Sequence, residues 1–419
     1  MGSRTIDYRA PSVDAEQRAY AWTLMQSLMG GLPPPGAEGE AWYQRWCERT
    51  AALTDVRVAS VQERGRSRVA GGLVVVPMGH FLCGRSVRTA AINAVAIAPE
   101  HRSQGVATSM MTACLREQRA RGVPISTLFP ATWSLYRRVG YEVAGSYRLS
   151  VIPLDRLPRP SPQDDAGFEI SAFEEERDRS EILALYATWA RSQQGALDRG
   201  PWMWLRVLHA MAQGKYDRPF AYVFRRESRL VAYVVFVQNT VPAMGYELAV
   251  LDFVGADRDA VLAVWRLLGA HRSMTPHVTM HVSSADPRVL ALKEPPRHSI
   301  TQSLDWVARI LDVESAISAR AYPKAVAGEI HLDVRDEVLP DNAGQFAVTV
   351  EGGQGAARRS TSAGAPRVTL DIRALAALYT GRMDARGLRE MGLLHGDEDG
   401  VDRASAIFAA PAPWLGDMF

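Results

Sequence analysis

At 419 residues the chain exceeds one ordinary hydrophobic core, and two or three domains are expected. With 47% hydrophobic and 22% charged residues its composition is globular, and a net charge of +2 gives no electrostatic case for a nucleic acid or an anionic membrane as partner. The three cysteines, Cys47, Cys83 and Cys114, are odd in number and far apart; no disulfide framework or zinc spacing is visible, and no metal is expected.

Residues 1–12 hold no apolar signal core, and Ile6 stands where a myristoylation start needs Ser or Thr. No run of eighteen apolar residues follows, so no membrane span is expected, and the scattered cysteines fit a reducing cytoplasm. Residues 15–29 and 40–51 read as helices, divided by Leu32-Pro33-Pro34-Pro35-Gly36. Strands are expected at 56–62, 68–78 and 91–98 from their β-branched content. The Pro-rich stretch 157–165 marks a linker. Residues 168–306 repeat the plan, with helices at 174–191 and 257–270 and strands at 220–225, 230–237, 247–254 and 277–282. The remainder changes style. A helix at 313–321 precedes alternating strands at 329–334, 346–350 and 368–372, then a helix from 374 and a late strand or helix at 404–409. The expected class is α/β (α+β), with domains at 1–155, 156–306 and 307–419.

One stretch carries chemistry. An apolar strand, 93–98, stops at Pro99 and turns through Arg102-Ser103-Gln104-Gly105-Val106-Ala107 into a helix without Pro or Gly until Gly122. The backbone N–H groups that open a helix lack partners, and the dipole there favours an anion. Gly105 lets the backbone approach a pyrophosphate, and Ala107 leaves it room. Further on lies Leu135-Tyr136-Arg137-Arg138-Val139-Gly140-Tyr141. In the second module the corresponding turn is Gly255-Ala256-Asp257-Arg258-Asp259, whose two carboxylates would repel a pyrophosphate.

The run Val95-x-Ile97-x-Pro99-x-x-Arg102-x-x-Gly105-x-Ala107 resembles the acetyl-CoA-binding core of the GNAT N-acetyltransferases, whose pattern is V-x-V-x-P-x-x-R-x-x-G-x-[GA]. A GNAT module, a degenerate second one and an α+β tail together resemble the Eis (enhanced intracellular survival) family, whose tail is similar to sterol carrier proteins. The stretches 304–313 and 375–381 and the terminal Phe419 carry that wider likeness. The resemblance implies tandem GNAT folds and a sterol-carrier-protein-like domain. It implies acetyl-CoA as co-substrate, held by Val95, Ala96, Ile97 and residues 102–107, and a homohexamer built as a dimer of trimers. By motif position it makes Tyr136 the general acid and the α-carboxylate of Phe419 the general base.

The chemistry agrees. An ammonium must lose a proton before its nitrogen attacks a thioester, and an ionised carboxylate accepts it. A phenol beside the sulfur protonates the thiolate, and backbone N–H groups near Val95 to Ile97 hold the oxyanion. Trp22 and Gln26 on the first helix and Trp133 are the candidates for the substrate side; His80 and His101 read as structural. Residues 20–29 carry no acid, and beside the chain end only Asp417 does, which suits a less charged amine than an aminoglycoside. The expected function is acetyl transfer to a small-molecule amine, aminoglycoside-like or another natural-product amine, in a ternary complex, with antibiotic resistance as one setting. The alternatives are another acyl-CoA used in natural-product tailoring or self-resistance, and a non-catalytic lipid or small-molecule carrier.

Overall fold

Four strand pairs close through two-residue turns whose residues all have positive φ: Arg64-Gly65, Cys83-Gly84, Glu227-Ser228 and Gly352-Gly353. Such turns match the right-handed twist of the strands they join, and so they fix hairpin register. A computed structural model describes residues 6–27, 36–165, 167–209, 219–241, 245–283, 286–292, 299–361 and 366–419. The first module comprises β1 (Asp7–Arg9), α1 (Asp14–Ser27), α2 (Ala37–Arg49), β2 (Asp55–Glu63), β3 (Arg66–Leu82), β4 (Arg85–Ile97), α3 (Val106–Ala120), β5 (Ile125–Leu128), α4 (Trp133–Arg138) and β6 (Glu142–Pro153). The second comprises α5 (Pro162–Asp165), β7 (Glu169–Ala172), α6 (Glu175–Arg191), β8 (Leu197–Asp198), α7 (Pro201–Leu208), β9 (Phe220–Arg226), β10 (Arg229–Thr240), β11 (Tyr246–Gly255), α8 (Arg258–Gly269), β12 (His277–His281), α9 (Pro287–Leu290) and β13 (Ser299–Ile310). The third comprises α10 (Val313–Ala319), β14 (Gly328–Arg335), β15 (Gly344–Glu351), β16 (Gln354–Arg359), β17 (Arg367–Asp371), α11 (Ile372–Thr380), α12 (Ala385–Glu390), β18 (Leu394–Gly396), α13 (Glu398–Phe408) and β19 (Trp414–Leu415).

The first two modules share one sheet, ordered β1-β2-β3-β4-β5-β13-β6-β12-β11-β10-β9-β7, with β8 on β3 and β19 on β6. β13 leaves the second module and lies antiparallel between β5 and β6 of the first. It gives the four-residue β5 a partner and covers an edge that would otherwise be open. Residue 306 therefore falls inside a strand, with Trp306 opposite Gly145. The other edge of β6 is shared end to end: β12 takes residues 149–153, and β19 runs parallel to Ser146 and Tyr147. The third domain has its own sheet, β16-β15-β14-β17-β18, and its core, with Phe346 and Tyr379, runs on into Leu82, Val87 and Ile125 of the first module. It is tied to β13 by the buried Arg309–Asp336 pair (2.7 Å) and to β6 of the first module by Arg373–Glu142 (2.5 Å).

Most expected elements form within a few residues of their predicted bounds. β4 starts earlier than residue 91, at Arg85, because the Cys83-Gly84 turn feeds it directly. The late element is a full helix, α13, capped by Asp397 accepting from the Gly400 amide. The strand β13 was not foreseen. The expected end of the first helix at Met29 and the break at Leu32–Pro35 lie outside the described residues.

Candidate active site

β4 and β5 are parallel but pair only at Thr89–Ala91 against Ile125–Thr127. Beyond that point they diverge, and β4 runs on along β3 as far as Ile97. A bulge interrupts this run, with Ala94 at φ 53°. Both backbone polar groups of Ala94 are engaged: its N–H donates to Asn93 Oδ1 (2.6 Å), and its carbonyl accepts from the buried Tyr20 hydroxyl (2.6 Å). The bulge shifts the alternation of the strand. Ala90 and Ile92, then Val95 and Ile97, pack on the α3 side, whereas Ala91, then Ala94 and Ala96, pack on the side of α1 and the C-terminal tail.

The loop after β4 is preshaped. The Ala98 amide bonds to Ala70 O (2.9 Å), the Gln104 side chain to Glu100 O (2.8 Å) and Arg102 Nε to Ile97 O (3.3 Å). Ser103 (φ 58°) and Gly105 (φ 81°) are left-handed, which curls successive amides into a concave cradle. Gly105 is the N-cap of α3 and offers no side-chain acceptor. The first α3 bond is Ser109 N–H to Gly105 O, so helix geometry leaves the amides of Val106 and Ala107 facing out of the helix start. Arg102, Ser103 and Gln104 are exposed beside them. The cradle suits a pyrophosphate-like anion.

Two aromatic residues flank the fork from opposite faces. Tyr136 on α4 packs in the α3-side cluster with Val106 and Leu128. Burial pushes its phenol up to about 12, so it holds its proton at neutral pH. Its hydroxyl has no hydrogen-bond partner among the described residues. Phe419 packs in the opposite cluster with Tyr20, Ala94, Ala96 and Trp306. Its ring lies 5.3 Å from that of Phe129, the residue after β5.

The other expected residues are not all gathered here. Trp22 is half-buried and Gln26 exposed on α1, and neither joins the cluster around Phe419. Trp133 is 37% exposed on α4, with the Arg137 guanidinium 5.1 Å above its ring. His80 sits against the chain end, 6.2 Å from the Phe419 ring, but both its nitrogens are committed. Nδ1–H donates to Gly195 O, and Nε2 accepts from Thr127. Burial lowers its pKa to about 4, leaving a neutral, structural ring. His101 is buried next to Glu63, 3.5 Å away. Tyr20 and Phe129 were missed by the sequence reading, since nothing local distinguishes them from ordinary core aromatics.

Comparison with known proteins decides the family. An acetyltransferase (GNAT) domain matches residues 20–144, a second matches 195–310, and a sterol carrier protein domain matches 313–416. An uncharacterised N-acetyltransferase of Streptomyces coelicolor is 30% identical over 92% of this chain and 93% of its own length. The chain belongs to the Eis-type GNAT N-acetyltransferases. N-acetyltransferase Eis of Mycobacterium tuberculosis is 26% identical over 78% of this chain and 79% of its own. A GCN5-related N-acetyltransferase of Anabaena variabilis superposes with a TM-score of 0.86 at 29% identity, over 99% of this chain and 100% of that one. Eis1 of Mycobacterium abscessus shares the fold, with a TM-score of 0.74 at 22% identity, over 99% of this chain and 100% of that one. The protein is thus an acyltransferase of GNAT type, and GNAT domains imply acetyl-CoA as co-substrate. No described helix is long and apolar enough to cross a membrane.

The two Eis-type GNAT modules differ at the helix that follows the fork. α8 is capped by Asp257, which accepts from the Ala260 amide (2.9 Å) and is gripped by Arg226 (3.0 Å). That grip, with the capping bond, holds the carboxyl below its usual range. The second helix start therefore carries its own anion, where α3 has only Gly105.

Proposed function

We propose that this enzyme transfers acetyl from acetyl-CoA to the nitrogen of a small-molecule amine by direct attack in a ternary complex. The observation that carries the reading is the buried Phe419 ring at the β4–β5 fork, on the face opposite Tyr136. The carboxylate of Phe419 takes the ammonium proton. The free amine attacks the thioester carbonyl, and the C–N bond forms. Backbone N–H groups of the Val95–Ile97 stretch face the developing oxyanion. The C–S bond then breaks, Tyr136 gives its proton to the departing thiolate, and the second proton that the nitrogen sheds as the amide forms restores the phenol. Val95, Ala96, Ile97 and the loop from Arg102 to Ala107 hold the co-substrate, with the pyrophosphate in the cradle. Asp417, the acid nearest the chain end, is already bound to Arg199 (2.8 Å), which supports a less charged amine than a polycationic aminoglycoside. Assembly as a dimer of trimers in the cytoplasm belongs to the same reading.

The test is a panel of amines (kanamycin, histamine, hexylamine and a lysine peptide) with acetyl-CoA, followed by free thiol and product mass. An amine-dependent thiol signal with a product heavier by one acetyl group is expected. A protein that binds acetyl-CoA yet releases no thiol above the amine-free rate would sink the reading.

The cradle makes two predictions. Arg102→Ala should weaken acetyl-CoA binding by about 1.5–3 kcal/mol, the range of a hydrogen bond to a charged group. Gly105→Glu should be worse, since it sets a carboxylate in the cradle at a left-handed backbone angle (φ 81°) that side chains disfavour. Calorimetry that finds native affinity in both removes the loop from the site. The same titration of the native protein should give one acetyl-CoA per chain, because Asp257 occupies the second helix start; a stoichiometry of two contradicts this.

A further inference from the structure

The second module repeats the fork of the first. β11 and β12 are parallel and pair only at Leu248–Val250 against Val278–Met280, then diverge. Side chains of the protein itself meet in this fork, around a small cavity lined by Tyr186, Arg199, Asp252 and Asp417. Arg199, buried, places Nη1 2.5 Å from Asp252 Oδ2, and Nε and Nη2 3.0 and 2.8 Å from the two oxygens of Asp417. Asp252 also accepts from the Tyr233 hydroxyl (2.6 Å) and the Phe253 amide (3.0 Å). The guanidinium stacks 3.8 Å from the Tyr186 ring and 4.9 Å from that of Trp204. The tail reaches this point along a guided path. Ser146 N–H bonds to Pro413 O, Trp414 N–H to Gln194 O, and a Cβ on Gly145 would lie 2.7 Å from Pro413 O.

A buried ion pair is poor value as a source of stability, because desolvation cancels most of the Coulombic gain; what it supplies is a single arrangement. Phe419 is two residues beyond Asp417, and two residues span at most about 7 Å. Wherever Arg199 holds Asp417, the chain end must lie within that radius. From this we propose that the Arg199–Asp252–Asp417 cluster is a clamp: the second module, having no pyrophosphate cradle, uses its fork to seat the tail and so positions the terminal carboxylate at the fork of the first. Arg199 and Asp417 are positioning residues acting through Phe419. Asp417 is thereby withdrawn from any role as base or as a ligand for the amine. The inference rests on the proposed role of the terminal carboxylate for its catalytic part, but not for its structural part.

The test separates the two. Native protein with an untagged C-terminus is compared with Asp417→Asn, with Arg199→Lys (which keeps the buried charge but cannot bridge both carboxylates), with deletion of Phe419, and with Asp417→Asn plus the deletion. Two quantities are read: release of Phe419 by a carboxypeptidase, followed by mass, and kcat and KM with the best amine of the panel. Asp417→Asn should release Phe419 at least tenfold faster and lower kcat by about 10²-fold, the effect of a small misplacement of a reacting group, with KM for acetyl-CoA unchanged. Arg199→Lys should do the same to a smaller degree. In the deletion background Asp417→Asn should cost nothing further, since non-additivity marks residues that act as a unit. Native release rates in both point variants overturn the clamp. Losses that multiply in the double variant overturn it too, by giving Asp417 a role of its own. Faster release with native kcat upholds the clamp and removes the carboxylate as base.

Discussion

Converting the terminal carboxylate to a neutral amide should lower kcat at least 10²-fold, the lower end of what general acid–base catalysis supplies. A semisynthetic C-terminal amide is the sharpest form of the experiment, because every side chain stays in place while the one base at the chain end is lost. A C-terminal tag should act in the same direction and more strongly, since added residues must also thread past the cluster in which Phe419 packs with Tyr20, Ala94 and Trp306. An N-terminal tag should be harmless by comparison. Phe419→Ala keeps the carboxylate and loses only the contacts of the ring, 5.3 Å from Phe129, so it should fall between the native protein and the amide. Native turnover in the amidated protein would move the base elsewhere. His80 and Asp417 are not candidates, the first because both nitrogens are bonded, the second because it is held by Arg199.

Tyr136→Phe should lower kcat by about 10²–10⁴-fold with little change in acetyl-CoA affinity, because only a proton donor is removed. Stability should hardly change. The hydroxyl gives up no protein partner among the described residues, and deleting an unpaired polar group in a buried setting is close to neutral. The melting curve therefore separates a catalytic loss from a structural one. A phenylalanine variant with full turnover assigns the proton to water.

Much of the fold was legible because its determinants are local. The loop before α3 is written in order: the strand up to Ile97, Pro99 to stop it, Arg102, and Gly105 at the left-handed position before α3. The degenerate character of the second module was legible in Asp257 and Asp259, and Asp257 indeed caps α8. The alternating strands of the third domain were visible for the same reason, since a period of two needs no knowledge of the partner strand. Tyr136 could be proposed from its place in a motif.

What depends on distant partners was not. Residues 299–306 read as the end of the second module and 307–310 as the start of the third, yet all lie in β13, which pairs with β5 and β6 of the first, a choice made by an open sheet edge some 170 residues earlier in the chain. The bulge at Ala94 changes which alanines face the tail, and its Tyr20 bond joins residues 74 apart. Asp417 looked like the acid of a substrate pocket from its place beside Phe419, but the structure turns it onto Arg199, 218 residues away. The sequence by itself determined the elements, the left-handed turn that opens α3 and the acidic cap that opens α8, because helix starts, turns and strand periods are set by a few neighbouring residues. Only the tertiary structure decided which sheet each strand joins and where the chain end is seated, because those are settled by burial and hydrogen-bond satisfaction between segments that no local pattern connects.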